Sequence, residues 1–202
     1  MKRFSAADIS ASTAYRLLTS TIVPRPIAFV TTVDAQGRVN AAPFSFFNAV
    51  GSAPPTVVLG FQPNADGSQK DTPNNIVATG EFVVNLVDMA LAEKMSAASA
   101  SLPPGVSEVE HVGLDIAPSV NVMPPRLSDA PVAMECRLTH DNPLSGGGRV
   151  ILGEVLEFHI RDAIIESLDP LRIDLNKLDT ISRLNGPHYG RIREQFSIQR
   201  PQ

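Results

Sequence analysis

The sequence predicts a mainly antiparallel β-barrel with flanking helices, and three observations carry that expectation. Short β-branched or alternating runs outnumber helical patterns along the 202 residues. The helical stretches are interspersed, without the regular strand–helix alternation of a doubly wound sheet. Many of the 17 prolines sit in pairs or beside loops, as at Pro54-Pro55, Pro103-Pro104 and Pro124-Pro125. Proline is excluded from helix interiors and central strands, so these pairs punctuate many short elements. With 43% hydrophobic residues, one domain with a full core is expected. It divides into an arm over about 1–22, a barrel over about 23–165 and a C-terminal segment over about 166–202.

Taken in order, the polar arm carries a short helix around Ser12 to Leu18. Ile27 to Val33 is β-branched and breaks at Asp34-Ala35-Gln36-Gly37, a turn signal, before Val39 to Ser45 returns as the second strand of a hairpin. Thr56 to Phe61 and Phe82 to Val87 are apolar runs of strand length, expected to be buried on both faces. Between them Thr72 suits a cap, Pro73 a first helical position and Gly80 a stop. Asp88 suits the cap of a second helix, with Leu91, Ala92, Met95 and Ala98 on one face. Ser101 to Glu110 reads as a long loop and a flap.

Ala130 to Thr139 alternates, with Val132, Met134, Cys136 and Leu138 set against Glu135, Arg137 and Thr139. Arg149 to Arg161 places Val150, Leu152, Leu156, Phe158 and Ile160 on one side. Joined through Gly146-Gly147-Gly148, these two runs make a long antiparallel hairpin with one face on the core. Asp169 to Arg193 holds short pieces.

Composition narrows the partners. Seventeen basic against 21 acidic residues leave a net charge of −4, whereas nucleic acid recruits a basic face. One cysteine excludes an internal disulfide framework and fits a reducing compartment. Asp8 interrupts the basic start before an apolar run develops, and no stretch reaches the roughly 20 apolar residues of a membrane helix. The expectation is a cytoplasmic protein with no nucleic acid and no membrane partner.

Two stretches carry chemistry. In Lys70-Asp71-Thr72-Pro73-Asn74-Asn75 a cation precedes a helix start, where free N–H groups and the dipole favour a phosphate. Thr72 adds a hydroxyl, while Asp71 would repel a phosphate and suits a cap or a ligand ring N–H. Alone, such a pattern is more often a helix cap beside a solvated lysine. In Pro43-Phe44-Ser45-Phe46-Phe47-Asn48, three phenylalanines in four positions offer a flat wall, with Ser45 and Asn48 able to bond a heteroaromatic edge. They equally suit the end of a barrel core.

Arg183, His188, Tyr189 and Arg191 gather around Asn185-Gly186-Pro187, either as a substrate lip or as an ordinary surface loop. Asn85 interrupts an apolar strand and is expected to bond neighbouring backbone. His111, His140 and His159 make no metal-ligand spacing, Cys136 reads as core, and Gly146-Gly147-Gly148-Arg149 lacks the ending of a phosphate loop. There is no GxGxxG fingerprint and no GxSxG elbow.

The order of these motifs resembles the flavin reductase-like family, FMN-binding split-barrel proteins. It runs from RPIAFVTT through PFSFFN, KDTPNN, LGEVLEFHIRD and SRLNGPHYG, from about Pro24 to about Arg191. The resemblance implies a split antiparallel β-barrel forming a homodimer with FMN at the subunit interface. Ser45, Phe46, Phe47 and Asn48 would line the flavin, and Lys70, Asp71, Thr72 and Asn75 would hold its phosphate and ribityl side. Arg183, His188 and Tyr189 match the C-terminal segment that flanks flavin or nicotinamide, although Asn185 stands where the family commonly has glycine. The implied function is NAD(P)H-dependent flavin reduction, with NADH or NADPH as co-substrate and a monooxygenase or other electron acceptor as partner. The flavin carries that chemistry, so no catalytic side chain is expected. An FMN-binding electron-transfer module without nicotinamide activity uses the same residues, and a pyridoxamine phosphate oxidase-like enzyme is a third reading.

Overall fold

The computed structural model describes residues 1–100, 107–199 and 201. The chain opens on α1 (Ala11–Thr21), whose cap Ser10 accepts the Thr13 N–H at 3.1 Å. It continues through β1 (Arg25–Pro26), β2 (Ala28–Val33), β3 (Val39–Phe44), β4 (Phe47–Ser52) and β5 (Pro55–Phe61). Next come α2 (Asp71–Thr79), β6 (Glu81–Leu86), α3 (Ala92–Ala97) and α4 (Glu108–His111). The short strands β7 (Ile116–Ala117) and β8 (Arg126–Leu127) precede the long hairpin of β9 (Val132–Pro143) and β10 (Arg149–Ile160). The last stretch holds β11 (Ile165–Leu168), β12 (Leu171–Ile173), α5 (Leu175–Leu178), β13 (Ile181–Arg183) and β14 (Tyr189–Arg191).

Seven strands form one antiparallel sheet in the order β3-β2-β6-β9-β10-β5-β4. Its two edges, β3 and β4, are consecutive in the chain and joined only by Ser45-Phe46. Laid flat, six strand spacings would part those edges by about 29 Å, whereas three Cα steps from Phe44 to Phe47 reach at most about 11 Å. The sheet must therefore roll until its edges meet at this bend. No ladder joins β3 to β4 among the described residues, so the roll stays open along a seam. The mainly β architecture with helices at its margins is the one the sequence predicts.

Rolling encloses one cluster of Ala28, Val30, Leu59, Phe82, Met134 and Ile151, capped by Ile76 of α2. A second cluster lies outside the sheet, where Phe29 of β2 meets Leu91, Met95 and Ile181. Strand β2 serves both clusters, which is why all six of its residues are buried. The Phe82 ring crosses β10 where Gly153 has no side chain; a Cβ there would stand 2.3 Å from Cζ.

Five local expectations are corrected. The aromatic loop shrinks to Ser45-Phe46, because Phe47 to Ser52 pairs with β5 as an edge strand. Strand β5 is buried only at Val57, Leu59 and Phe61, its outer face being uncovered. A bulge between Val155 and Glu157 changes the parity of β10, so Ile151 and Val155 enter the core while Val150 and Leu152 face outward. Glu135, expected on the polar face of β9, is fully buried, because residues Val120 and Asn121 fold over it. Within Ser101 to Glu110, Glu108 begins a short helix; the rest of the expected flap, 101–106, lies outside the described residues. Among the described residues, no helix is long and apolar enough to cross a membrane.

Candidate functional site

A cleft of about 700 Å³ opens at the seam. Ser45 and Phe46 of the bend line it, as do Asn64, Lys70, Asp71 and Thr72 of the segment leading into α2. The two stretches singled out in the sequence thus share one cavity, within the size range of small-molecule sites. Strand β5 passes close beneath the bend: the Gly60 N–H donates to the Phe46 carbonyl at 2.7 Å, and a Cβ at Gly60 would lie 3.0 Å from that of Phe46. Tyr15 of α1 also lines the cleft, its ring centroid 6.4 Å from that of Phe46.

The start of α2 departs from the sequence reading. Lys70, not Thr72, occupies the cap position, and no side chain caps the helix. The N–H groups of Asp71 and Thr72 therefore remain available to an anion, as at other helix starts, whereas Pro73 has none to offer. Thr72 is instead buried in the first turn, where its Oγ1 accepts from Asn40 Nδ2 at 2.9 Å. Asn40 and Asn75 both donate to Thr32 Oγ1, at 3.3 and 3.1 Å. This network pins the helix start to β2 and β3, so Thr72 and Asn75 act here as anchors. Pro73 falls third in the helix rather than first, and Gly80 ends it in the left-handed conformation at φ 76°. Among the described residues, Lys70 Nζ bonds only Asn64 Oδ1, at 3.3 Å.

The opposite end is built differently. Arg25 is 6% exposed, yet none of the ion pairs among the described residues includes it. Its Nη1 donates to the carbonyls of Thr19 and Ile22, at 2.6 and 2.8 Å, and its Nη2 to that of Leu184 at 2.8 Å. Its Nε donates to Ser45 Oγ at 3.4 Å. Burial lowers the Arg25 pKa from its ordinary value; the Tyr15 phenol raises it and Arg183 lowers it further.

Arg183 pairs with Arg25 across the β1–β13 ladder and with Tyr189 across β13–β14. Its guanidinium lies 4.6 Å from the Tyr189 ring centroid, a cation–π contact. A side cavity of about 200 Å³, lined by Arg183, Tyr189 and Met95, shares Pro43, Phe44 and Ser45 with the main cleft.

Other expected site residues lie apart. Phe47 packs against the inner cluster, and Asn48 is exposed on β4, accepting the Ala49 N–H. His188 is exposed at the tip of the β13–β14 hairpin. Asn85 bonds backbone as expected, donating to the Phe29 carbonyl at 3.0 Å and accepting the Leu127 N–H at 2.8 Å. Cys136 lies in the core, where burial pushes its thiol pKa far up.

Glu135 accepts N–H bonds from Val120 and Asn121 at 2.7 and 2.6 Å and contacts His159 Nε2 at 2.6 Å. Burial opposes its ionisation, but these partners outweigh burial and hold its carboxyl below the ordinary range. No group of three or more His, Cys, Asp or Glu side chains is placed to hold a metal among the described residues. Sequence reasoning passed over Tyr15, Arg25 and Asn40. Only Asn40 carried a signal, as a polar residue on a strand adjoining the phenylalanine-rich stretch.

The donor set fits a flat, phosphorylated heteroaromatic: an uncapped helix start with a lysine, and an aromatic bend with a serine hydroxyl. A family model described as "Flavin reductase like domain" matches residues 19–172. Nitrilotriacetate monooxygenase component B from Bacillus cereus is 35% identical, with 98% of each chain covered and a TM-score of 0.93. The 2-nitrobenzoate 2-nitroreductase NbaA of Pseudomonas fluorescens is 33% identical, covering 99% of this chain and 96% of its own, with a TM-score of 0.88. The uncharacterized protein YwrF of Bacillus subtilis is 39% identical over 203 residues, covering 98% of both chains.

Proposed function

The chain belongs to the flavin reductase-like family, and from that premise we propose that it binds FMN in the seam cleft and reduces it with NADH or NADPH. The observation that carries this reading is the shared cavity: Ser45 and Phe46 open into the same space as Lys70 and the uncapped start of α2. Lys70 and the first-turn N–H groups hold the phosphate. Phe44 and Phe46 wall the ring, and Ser45 bonds its edge. Asn40 and Asn75 keep the helix start aimed through Thr72 and Thr32. The side cavity beside Arg183 and Tyr189 takes the nicotinamide, which orients it toward the ring without a general acid. When bound, the flavin supplies the hydride acceptor.

The rolled sheet with its seam is the split barrel of this family, and two copies associate. The outer row of Asn48, Val58 and Leu152, adjoined by the exposed Val50, supports a second copy on that face. Reduced flavin or its electrons then pass to a monooxygenase or another acceptor. The experiment is anaerobic mixing of FMN-loaded protein with NADH and with NADPH, followed at the visible flavin band. Bleaching by either nucleotide is expected. A band that persists for minutes with both identifies an electron-transfer module instead.

A further inference from the structure

A buried arginine is ordinarily matched by a carboxylate, because an unpaired charge is costly away from water. Arg25 has neutral acceptors instead: three backbone carbonyls and one hydroxyl. The three carbonyls belong to the end of α1 and the β13–β14 hairpin, so a clamp between those elements explains them. The fourth contact, to Ser45, is not needed for that clamp. It points at a hydroxyl that lines both the main cleft and the side cavity.

A serine hydroxyl has one proton and two lone pairs. With a lone pair committed to the Arg25 Nε–H, the proton of Ser45 is left to point elsewhere, and the cleft is the open direction. A cation behind the oxygen also polarises the O–H and makes it a stronger donor. Arg183, directly opposite Arg25 in the β1–β13 ladder, adds a second positive charge to this end of the cleft.

We infer that Arg25 is a positioning residue: it fixes Ser45 as a hydrogen-bond donor facing the bound ring and, through that donor, makes the ring easier to reduce. This inference rests on the reading of the cleft as a flavin site. It differs from a structural clamp in its consequence. A clamp alone changes thermal stability, whereas a polarised donor changes the reduction potential of whatever ring it touches.

The test compares wild type, S45A, R25K and the double variant, each loaded with FMN. R25K keeps the positive charge but offers a single nitrogen, which cannot reach Ser45 and the carbonyls together. The midpoint potential of bound FMN is expected to fall in S45A and in R25K, and to fall no further in the double variant. Anaerobic reduction by the preferred nicotinamide slows roughly tenfold in each, the equivalent of one lost charge-assisted bond. FMN affinity in S45A stays within about threefold of wild type, as expected for one peripheral bond. An unchanged potential in S45A, whose cleft-facing change does not threaten folding, overturns the inference, as does an R25K shift that persists in full on the S45A background. Wild-type protein that takes up no FMN overturns the functional reading and this inference together. FMN binding with unaltered potentials in the variants overturns this inference alone.

Discussion

The two ends of the cleft bear a positive charge by opposite means. At the α2 end, Lys70 sits on a surface loop, tied by one 3.3 Å bond to Asn64 and neighboured by Asp66 and Asp71. At the bend, Arg25 is buried and fixed by four acceptors on three elements. A loosely tied, partly exposed cation adds attraction that salt screens and water competes for. An immobile buried one adds little reach but sets geometry and local field. The lysine end should therefore govern how tightly an anion is held, and the arginine end how a ring, once held, is placed.

Four experiments test that division. The largest effect is expected from Gly60→Val, which pushes a branched side chain against Phe46 across a 3.0 Å gap. Overpacking of this kind costs about 3 kcal/mol, read as a loss of stability in denaturant titration, and it disturbs the ring end selectively. Next is Lys70→Ala, expected to weaken FMN binding by about 2 kcal/mol at low salt. The difference should shrink as salt rises, while bound-flavin potential holds; salt-independent weakening would place Lys70 at a buried contact and erase the contrast.

Asn40→Ala comes third. It removes the bonds to Thr72 and Thr32 and lowers stability by about 1 kcal/mol, with part of that loss appearing as weaker FMN binding because the helix start is no longer aimed. The smallest effect on the cleft should come from Glu135, which lies outside it. Its folded-state pKa is depressed, so its stabilisation is present above the ordinary carboxyl value near 4.5 and is lost as pH falls through the folded value. Thermal melts should show that acid-side loss in wild type and less of it in Glu135→Gln, with FMN affinity near neutral pH the same in both.

The same contrast explains what the sequence made legible. The lysine end is local: a cation, a helix start and a stopping glycine lie within eleven residues, so pattern alone finds it. The Ser45 bend is conspicuous because aromatic residues crowd it. Arg25 is invisible, since it sits alone between two prolines and its partners come from α1, the bend and a hairpin 159 residues away. In the sheet, alternation located β9 and β10, but the bulge after Val155 reversed the faces, and alternation cannot register an inserted residue. Glu135 misled for a related reason: a charged residue on an alternating strand reads as solvated until a distant segment arrives with two N–H groups.

The Ser45-Phe46 connection also limits how this chain can diversify. Because only two residues hold the outermost strands within reach of each other, each residue added there lets the curvature relax and widens the mouth of the cavity. The Asp34–Gly37 turn at the far end of β2 and β3 bears no such load and can absorb insertions freely. Loop grafting aimed at new ligands should therefore leave the short tether intact and extend the segment between β5 and α2, which borders the same opening without setting the radius of the roll.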